Sequence, residues 1–146
     1  MFIQPVTGYR KVVTPAFRSQ TENPLLKQSD ITRLDSKLVI GRAPGACRYE
    51  NHQYKINSNI LDKDLQFLKS NYNVDTLIDL RAGHIEGNEI TKEANAAKKA
   101  GMTYLNLQMD GAIAPKPDEL KSFFNTIDKA KGNVYLHCHM GHDRTG

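Results

Sequence analysis

The chain has 146 residues, of which 39% are hydrophobic and 25% charged, and a formal net charge of +4. This length suits one domain with a single core. The basic residues are scattered along the chain, so nucleic-acid binding is not favoured, although the charge is compatible with an anionic substrate. Two cysteines, Cys47 and Cys138, are too few for a disulfide scaffold.

The sequence gives no indication of a membrane or secretory segment. No run approaches the roughly 18 consecutive apolar residues of a membrane span, so stable membrane insertion is not expected. The start, MFIQPVTGYRK, does not show the charged-then-apolar order of a secretory signal. We therefore expect a cytoplasmic location, and an effector secreted without a cleaved signal would have the same features.

The chain divides near residue 37. Residues 1–36 are predicted to form an irregular arm with turn-forming segments. Three prolines interrupt it: Pro5, Pro15 and Pro24. From there, residues 37–146 form the predicted domain, which starts with a strand over 37–42 and a turn at 43–45.

A first helix is predicted where Leu61, Leu65 and Leu68 recur at helical spacing, with Ser58 or Asp62 as its N-cap. A second helix ends before Gly101, which occupies the position of a C′ glycine. Its apolar face is predicted to hold Ile90, Ala94 and Ala97. A third helix opens at Pro117 and ends at Gly132. Its apolar face is predicted to hold Leu120, Phe123, Phe124 and Ile127.

Strands are predicted between and after these helices, over 74–80, 102–107 and 134–137. Strands that alternate with helices imply right-handed crossovers, so the fold class is α/β with a mainly parallel central sheet flanked by helices. Asp79 and Arg81 close the second strand and are candidates for a buried supporting ion pair.

The segment after the last strand carries the chemistry. It reads His137-Cys138-His139-Met140-Gly141-His142-Asp143-Arg144-Thr145-Gly146. Five residues between Cys138 and Arg144 can curl into a cradle whose backbone N–H groups point at one tetrahedral anion. Gly141 permits the backbone angles that such a cradle needs. Arg144 supplies a planar fork for two phosphate oxygens, and the same positive field favours the Cys138 thiolate.

This segment resembles the active-site loop of protein-tyrosine and dual-specificity phosphatases, H-C-x5-R-[ST], and its ending is most similar to bacterial atypical members. The resemblance covers 37–146, including GRAPG, VDTLIDLR, LQMDGAIAPKP and NVYLH. It implies hydrolysis of phosphate monoesters through a phosphocysteine intermediate, with protein phosphotyrosine as the expected substrate. A phosphoinositide or inositol phosphate substrate is the alternative. No metal or cofactor is required.

The resemblance also implies roles for individual residues. Cys138 would attack phosphorus, and Arg144 would bind the ester and stabilise the transition state. Thr145 would donate a hydrogen bond to the departing sulfur, and His137 would orient the loop and favour the thiolate. The loop residues that would bind substrate are His139, Met140, Gly141, His142, Asp143 and Arg144.

The leaving oxygen needs a general acid, for which there are two candidates. Asp110 follows the strand over 102–107 and begins the loop DGAIAP, where the family keeps its acid. Asp143 is the rival, because it lies within the phosphate loop beside Arg144. Asp118 better suits the positive end of the third helix.

His139 and His142 leave the substrate class open. Lipid phosphatases of this wider family can carry basic residues at these positions to hold additional phosphates, and histidine there is charged mainly below about pH 6.5. Otherwise the two rings only shape the pocket rim.

Two other classes of site share features with this segment. A zinc hydrolase of the H-x-H-x-D-H type would need Gly141 to be aspartate and further ligands downstream. A catalytically inactive phosphate-binding module would use the same fold. Cys47 is expected to be a plain, partly buried thiol, with a regulatory disulfide to Cys138 as the alternative.

In the family, the arginine begins a long helix whose N-terminus points at the phosphate. That helix would begin near Arg144 and does not fit within 146 residues. We therefore expect the domain to be truncated at its C-terminus, with a core open on one side, and this fragment to be weakly active or inactive.

Overall fold

A computed structural model describes residues 25–51, 53–81, 87–109 and 114–139. Its centre is a five-stranded sheet in the order β1-β2-β7-β5-β6, beside a two-stranded hairpin of β3 and β4. The strands are β1 (Ile31–Arg33), β2 (Leu38–Gly41), β3 (Arg48–Glu50), β4 (Gln53–Lys55), β5 (Val74–Asp79), β6 (Thr103–Asn106) and β7 (Asn133–His137). In the five-stranded sheet, strands β2, β7, β5 and β6 are parallel and β1 pairs antiparallel to β2, while β3 and β4 pair antiparallel in the hairpin. The predicted α/β fold with a mainly parallel sheet is confirmed.

Helices cover the two faces of the sheet unequally. Helix α1 (Ser58–Tyr72) and helix α2 (Gly87–Lys99) share one hydrophobic cluster, which includes Leu77 and Tyr135 from the sheet. Helix α3 (Pro117–Lys129) packs on a second cluster, which includes Ile78 and Leu136. Neighbouring residues of one strand therefore point into different clusters, as strand geometry requires.

Helix α1 forms as its apolar spacing predicted, but its cap differs. Leu61, Leu65 and Leu68 are buried to 1% exposure or less. The side chain of Asn57 accepts hydrogen bonds from the backbone N–H groups of Asn59 and Ile60, at 3.0 and 3.1 Å. The N-cap prediction was therefore wrong, because an amide oxygen one residue earlier satisfies the first-turn donors.

Helix α2 buries a different stripe from the one predicted. Its buried side chains are Glu89, Glu93 and Ala97, four residues apart, whereas Ile90 is only half-buried. Two acidic residues thus face the interior, which requires partners there. Gly101, with φ of 76°, ends the helix as predicted.

Helix α3 is amphipathic but lies at the periphery of the fold. None of its residues is fully buried, and Phe124 is 58% exposed. The helix ends at Lys129 and not at Gly132, which instead permits a close approach between strands. The N–H of Gly132 donates to Asp75 Oδ2 at 2.6 Å, and a Cβ there would lie 2.5 Å from the Asn73 carbonyl oxygen.

Part of the range predicted as irregular has regular structure. Residues 28–30 form a 3-10 turn and β1 pairs with β2, while Leu26 is buried at 3% exposure. Residues 1–24 lie outside the described residues, so the division at 36 remains a prediction. The β3–β4 hairpin was not predicted, because each of its strands has three residues and only one of them is aromatic or apolar.

The described helices include none that is both long enough and apolar enough to cross a membrane.

Candidate active site

Cys138 directly follows the central strand of the sheet. Strand β7 lies between β2 and β5, parallel to both, so all three end at the same edge. At that edge the side chain of Cys138 is only 2% exposed and contributes to the second hydrophobic cluster. The thiol therefore directly follows a strand that is hydrogen-bonded on both sides.

His137, the last residue of β7, is fully buried and bonded at both ring nitrogens. Its Nε2 lies 2.7 Å from Glu93 Oε1, and its Nδ1 lies 3.0 Å from the carbonyl oxygen of Cys138. A third group, Asp79 Oδ1, lies 3.9 Å from Nδ1. The ring thereby links helix α2 to the backbone of Cys138.

The predicted pair of Asp79 and Arg81 is confirmed, and it belongs to a larger network. Arg81 Nη2 donates to Asp79 Oδ2 at 2.6 Å and to Glu93 Oε2 at 2.5 Å, and all three side chains are fully buried. The hydroxyl of Tyr104 also donates to Asp79 Oδ2, at 2.6 Å. Removing one partner from such a network leaves a buried charge uncompensated, which typically costs about 3–5 kcal/mol.

The network shifts the pKa of His137 and of Asp79 in opposite directions. Burial alone would lower the pKa of His137, but Glu93 and Asp79 outweigh burial and raise it. Burial would raise the pKa of Asp79, but the charges of His137 and Arg81 hold it below its ordinary value. Two carboxylates therefore favour the charged form of the His137 ring.

Cys47 is a free, half-buried thiol at the rim of the same network. Arg81 Nη1 donates to its Sγ at 3.3 Å. Burial nevertheless raises the pKa of Cys47 to about 12, so the group stays a thiol at neutral pH. It accordingly has the character of a plain thiol, as the sequence predicted.

Three side chains of the network carry possible metal-ligand atoms. Those of Asp79, Glu93 and His137 lie within 4.8 Å of one another and are buried. However, the guanidinium of Arg81 bonds both carboxylates and supplies the positive charge that a metal ion would bring. The arrangement fits a self-neutralised support network and gives no argument for a metal centre.

His139, the first residue after Cys138, is hydrogen-bonded to the turn that follows β2. The N–H of Ala43 donates to the His139 carbonyl oxygen at 3.0 Å. Arg42, on the same turn, pairs with Asp30 at 3.4 Å, and its carbonyl oxygen accepts from the Tyr135 hydroxyl at 2.7 Å. Arg42 therefore fixes its own turn, and His139 is half-buried beside it.

The remaining predicted site residues lie outside the described residues and stay predictions. They are Asp110, Met140, Gly141, His142, Asp143, Arg144 and Thr145. Asp118 lies in the first turn of α3, as predicted for a residue that serves the helix.

A thiol at the end of the central parallel strand, backed by a buried histidine, is the arrangement of a cysteine-based phosphatase. Residues 52–146 match the model of the family described as "Tc-R-P: Polymorphic toxin system, DSP-PTPase phosphatase", and the chain belongs to this family. No curated protein matches the chain.

Solved structures share the fold at low sequence identity. A Shewanella putrefaciens protein described as a DUF442 phosphatase aligns with a TM-score of 0.52 and 20% identity, over 77% of this chain and 60% of its own. The core catalytic domain of the PP-IP phosphatase SIW14 from S. cerevisiae aligns at 0.54 and 12%, over 84% and 63%. A Neisseria meningitidis protein named as a phosphatase aligns at 0.52 and 19%, over 79% and 70%. The chain thus spans under two thirds of the length of the first two.

Sequence reasoning missed Glu93 and Tyr104. Both are polar residues in elements whose apolar spacing had been used to predict the buried side. The available signal was spacing: Glu93 lies four residues from Glu89 and from Ala97 on α2, so one face of the helix carries both carboxylates inward.

Proposed function

We propose that this protein is a phosphoric monoester hydrolase that uses Cys138 as its nucleophile and forms a phosphocysteine intermediate. The observation that carries the proposal is the position of Cys138 at the carboxyl end of the central strand, with His137 bonded to its carbonyl. Membership of a phosphatase family supports the same reaction class.

The proposed mechanism assigns one task to each predicted residue. The Cys138 thiolate attacks phosphorus, Arg144 binds two oxygens of the transferred group, and Asp110 protonates the leaving oxygen. The sulfur–phosphorus bond is then broken by water, while Thr145 donates a hydrogen bond to the leaving sulfur. Asp143 is the alternative acid.

The first test is phosphate release from an aryl phosphate in EDTA. Cys138→Ser should lower kcat by at least about a thousandfold, while Cys47→Ser should retain activity, because Cys47 takes no part in the reaction. Vanadate should inhibit the wild type. Activity that EDTA removes and Cys138→Ser retains would refute the thiol mechanism.

The identity of the acid is tested with two matched variants. Asp110→Asn should lower kcat by about a hundredfold or more, and kcat should no longer fall at high pH, where the general acid loses its proton. Asp143→Asn should act mainly on substrate binding. The reverse ranking would assign the acid to Asp143.

Protein phosphotyrosine is the proposed substrate, with an inositol phosphate as the competing candidate. The candidates are separated by comparing kcat/KM for a phosphotyrosine peptide, a phosphoserine peptide and an inositol polyphosphate. His139→Gln and His142→Gln should leave peptide hydrolysis nearly unchanged if these rings only shape the rim. A loss confined to the inositol polyphosphate, strongest below about pH 6.5, would favour that substrate class instead.

The family description also leads us to propose that the domain acts as a toxin on phosphorylated molecules of a recipient cell. Expression in bacteria should slow growth, and Cys138→Ser should relieve the effect at equal protein level. Equal toxicity of both forms would separate growth inhibition from phosphatase chemistry.

A further inference from the structure

We infer that Glu93, on helix α2, is a positioning residue that keeps His137 protonated and thereby favours the Cys138 thiolate. The inference rests on the thiolate role proposed above for Cys138. It concerns a residue far from the phosphate loop in sequence, and the contacts that support it join described residues.

The hydrogen bonds of His137, taken together with the ion pair between Arg81 and Glu93, indicate the charge of its ring. A backbone carbonyl oxygen can only accept, so Nδ1, 3.0 Å from the Cys138 oxygen, must carry a hydrogen. An ionised carboxylate also only accepts, so Nε2, 2.7 Å from Glu93 Oε1, carries a second hydrogen. A ring that donates from both nitrogens is an imidazolium.

Charge balance in the network supports the same state. Among the described residues, the charged groups that face His137 are Asp79 from β5, Arg81 just after it and Glu93 from α2. Two carboxylates and one guanidinium leave one negative charge, which the imidazolium neutralises. Because these groups are fully buried, an uncompensated charge among them would be costly.

Glu93 hydrogen-bonds the His137 ring directly, whereas Asp79 does not. Asp79 already accepts from Arg81 and from Tyr104, and it lies 3.9 Å from the ring. Glu93 divides its two oxygens, giving Oε2 to Arg81 and Oε1 to His137. It therefore supplies the direct hydrogen bond that fixes both the orientation and the charge of the ring.

The consequence for Cys138 follows from adjacency. The imidazolium donates to the carbonyl of Cys138 itself, which places a fixed positive charge beside the residue whose sulfur must ionise. A nearby cation favours an anionic thiolate. Exchanging Glu93 for a neutral residue would let the buried ring lose its proton, and the thiolate would lose that support.

The first measurement uses the wild-type protein alone. Nitrogen NMR of His137 at neutral pH should show both ring nitrogens protonated. A neutral tautomer would overturn the inference. This result does not depend on any substitution or on whether a variant folds.

The second measurement follows thiolate ultraviolet absorbance against pH in a Cys47→Ala background, where Cys138 is the remaining thiol. Glu93→Gln, which keeps size and polarity, should raise the midpoint of Cys138 ionisation by about one pH unit. Tyr104→Phe is the matched control, because it removes a hydrogen bond from the same network without touching His137. It should shift the midpoint by less than about a third of that amount.

The outcomes separate this inference from the proposed function. An unchanged midpoint in folded Glu93→Gln, or an equal shift in Tyr104→Phe, overturns the role of Glu93. A shifted midpoint in a protein that releases no phosphate leaves the role of Glu93 standing and refutes the phosphatase function instead.

Discussion

Asp64 joins three parts of the fold, and its removal gives a stability change that can be worked out from two contacts. Its side chain is fully buried on α1. Oδ1 accepts from the Leu26 N–H and Oδ2 from the Gly45 N–H, both at 2.8 Å. Hydrogen bonds to a charged group contribute about 1.5–3 kcal/mol each. Burial raises the pKa of Asp64, which shows that ionisation inside the protein has a cost that offsets part of this gain.

Asp64→Ala should therefore lower the free energy of unfolding by about 3 kcal/mol, or the melting temperature by about 9 °C. Urea unfolding at pH 7 measures the change. Asp64→Asn retains one acceptor oxygen and should lose about half as much. The matched control is Asp62→Ala, an exposed carboxylate on the same helix, with an expected change within about 0.5 kcal/mol.

Amide exchange gives an independent readout of the same substitution. Asp64 accepts from Gly45 in the turn after β2, and the same turn contains Ala43, whose N–H donates to the His139 carbonyl oxygen. Exchange at the Ala43 amide should accelerate in Asp64→Ala and remain as in the wild type in Asp62→Ala. A stability loss in Asp64→Ala no greater than that of Asp62→Ala would refute the assignment of Asp64 as a buried anchor.

Three further predictions follow from single contacts. Because the pKa of His137 is raised in the folded state, its contribution to stability is fully present below about pH 6.5 and is lost as pH rises through the folded-state pKa. The urea midpoint of the wild type should therefore fall with rising pH, and that of His137→Asn should fall less. Gly41→Ala should destabilise by about 1–3 kcal/mol, because the new Cβ would meet the Tyr135 hydroxyl and lie 2.7 Å from the Asp30 carbonyl oxygen; an unchanged denaturant midpoint would contradict this packing. Leu68→Ala, at a position with no exposed surface, should cost about 2–5 kcal/mol in the same assay, and a cost below about 1 kcal/mol would place Leu68 outside the core.

The regular parts of the fold were predictable because their signals are local. Leucines at helical spacing on α1 and a proline at the start of α3 report structure within one turn. The apolar run that became β7 similarly predicted a buried strand. These signals suffice for the class of fold, since alternating strands and helices leave few other topologies.

The missed features depend on neighbours that are distant in sequence. Strand β1 has three residues and is defined by its pairing with β2, and the hairpin of β3 and β4 has no apolar alternation. Glu93 reads as a surface residue until the fold brings α2 to Arg81 and His137, which bond its carboxylate. Asp79 and Arg81 were predicted as a pair because they are two residues apart.

Only those site residues that lie together in one short segment of the sequence could be predicted. Cys138 and His137 follow from one short segment, and the sequence named both. Their support comes from α2, from the turn at Ala43 and from the end of β5, and no single segment contains it. Spacing along the chain cannot specify which helix presents a carboxylate to a histidine.

The order of strands in the sheet also determines when the fold can form. Strand β7 is the last described strand in the chain, yet it lies between β2 and β5, with Leu38 paired to Val134. During synthesis β2 and β5 therefore wait with unpaired edges until β7 has emerged, which makes folding non-local and the nascent chain prone to association. The strand that precedes Cys138 is also the strand that completes the sheet. A chain interrupted before β7 therefore has neither the thiol nor a complete sheet.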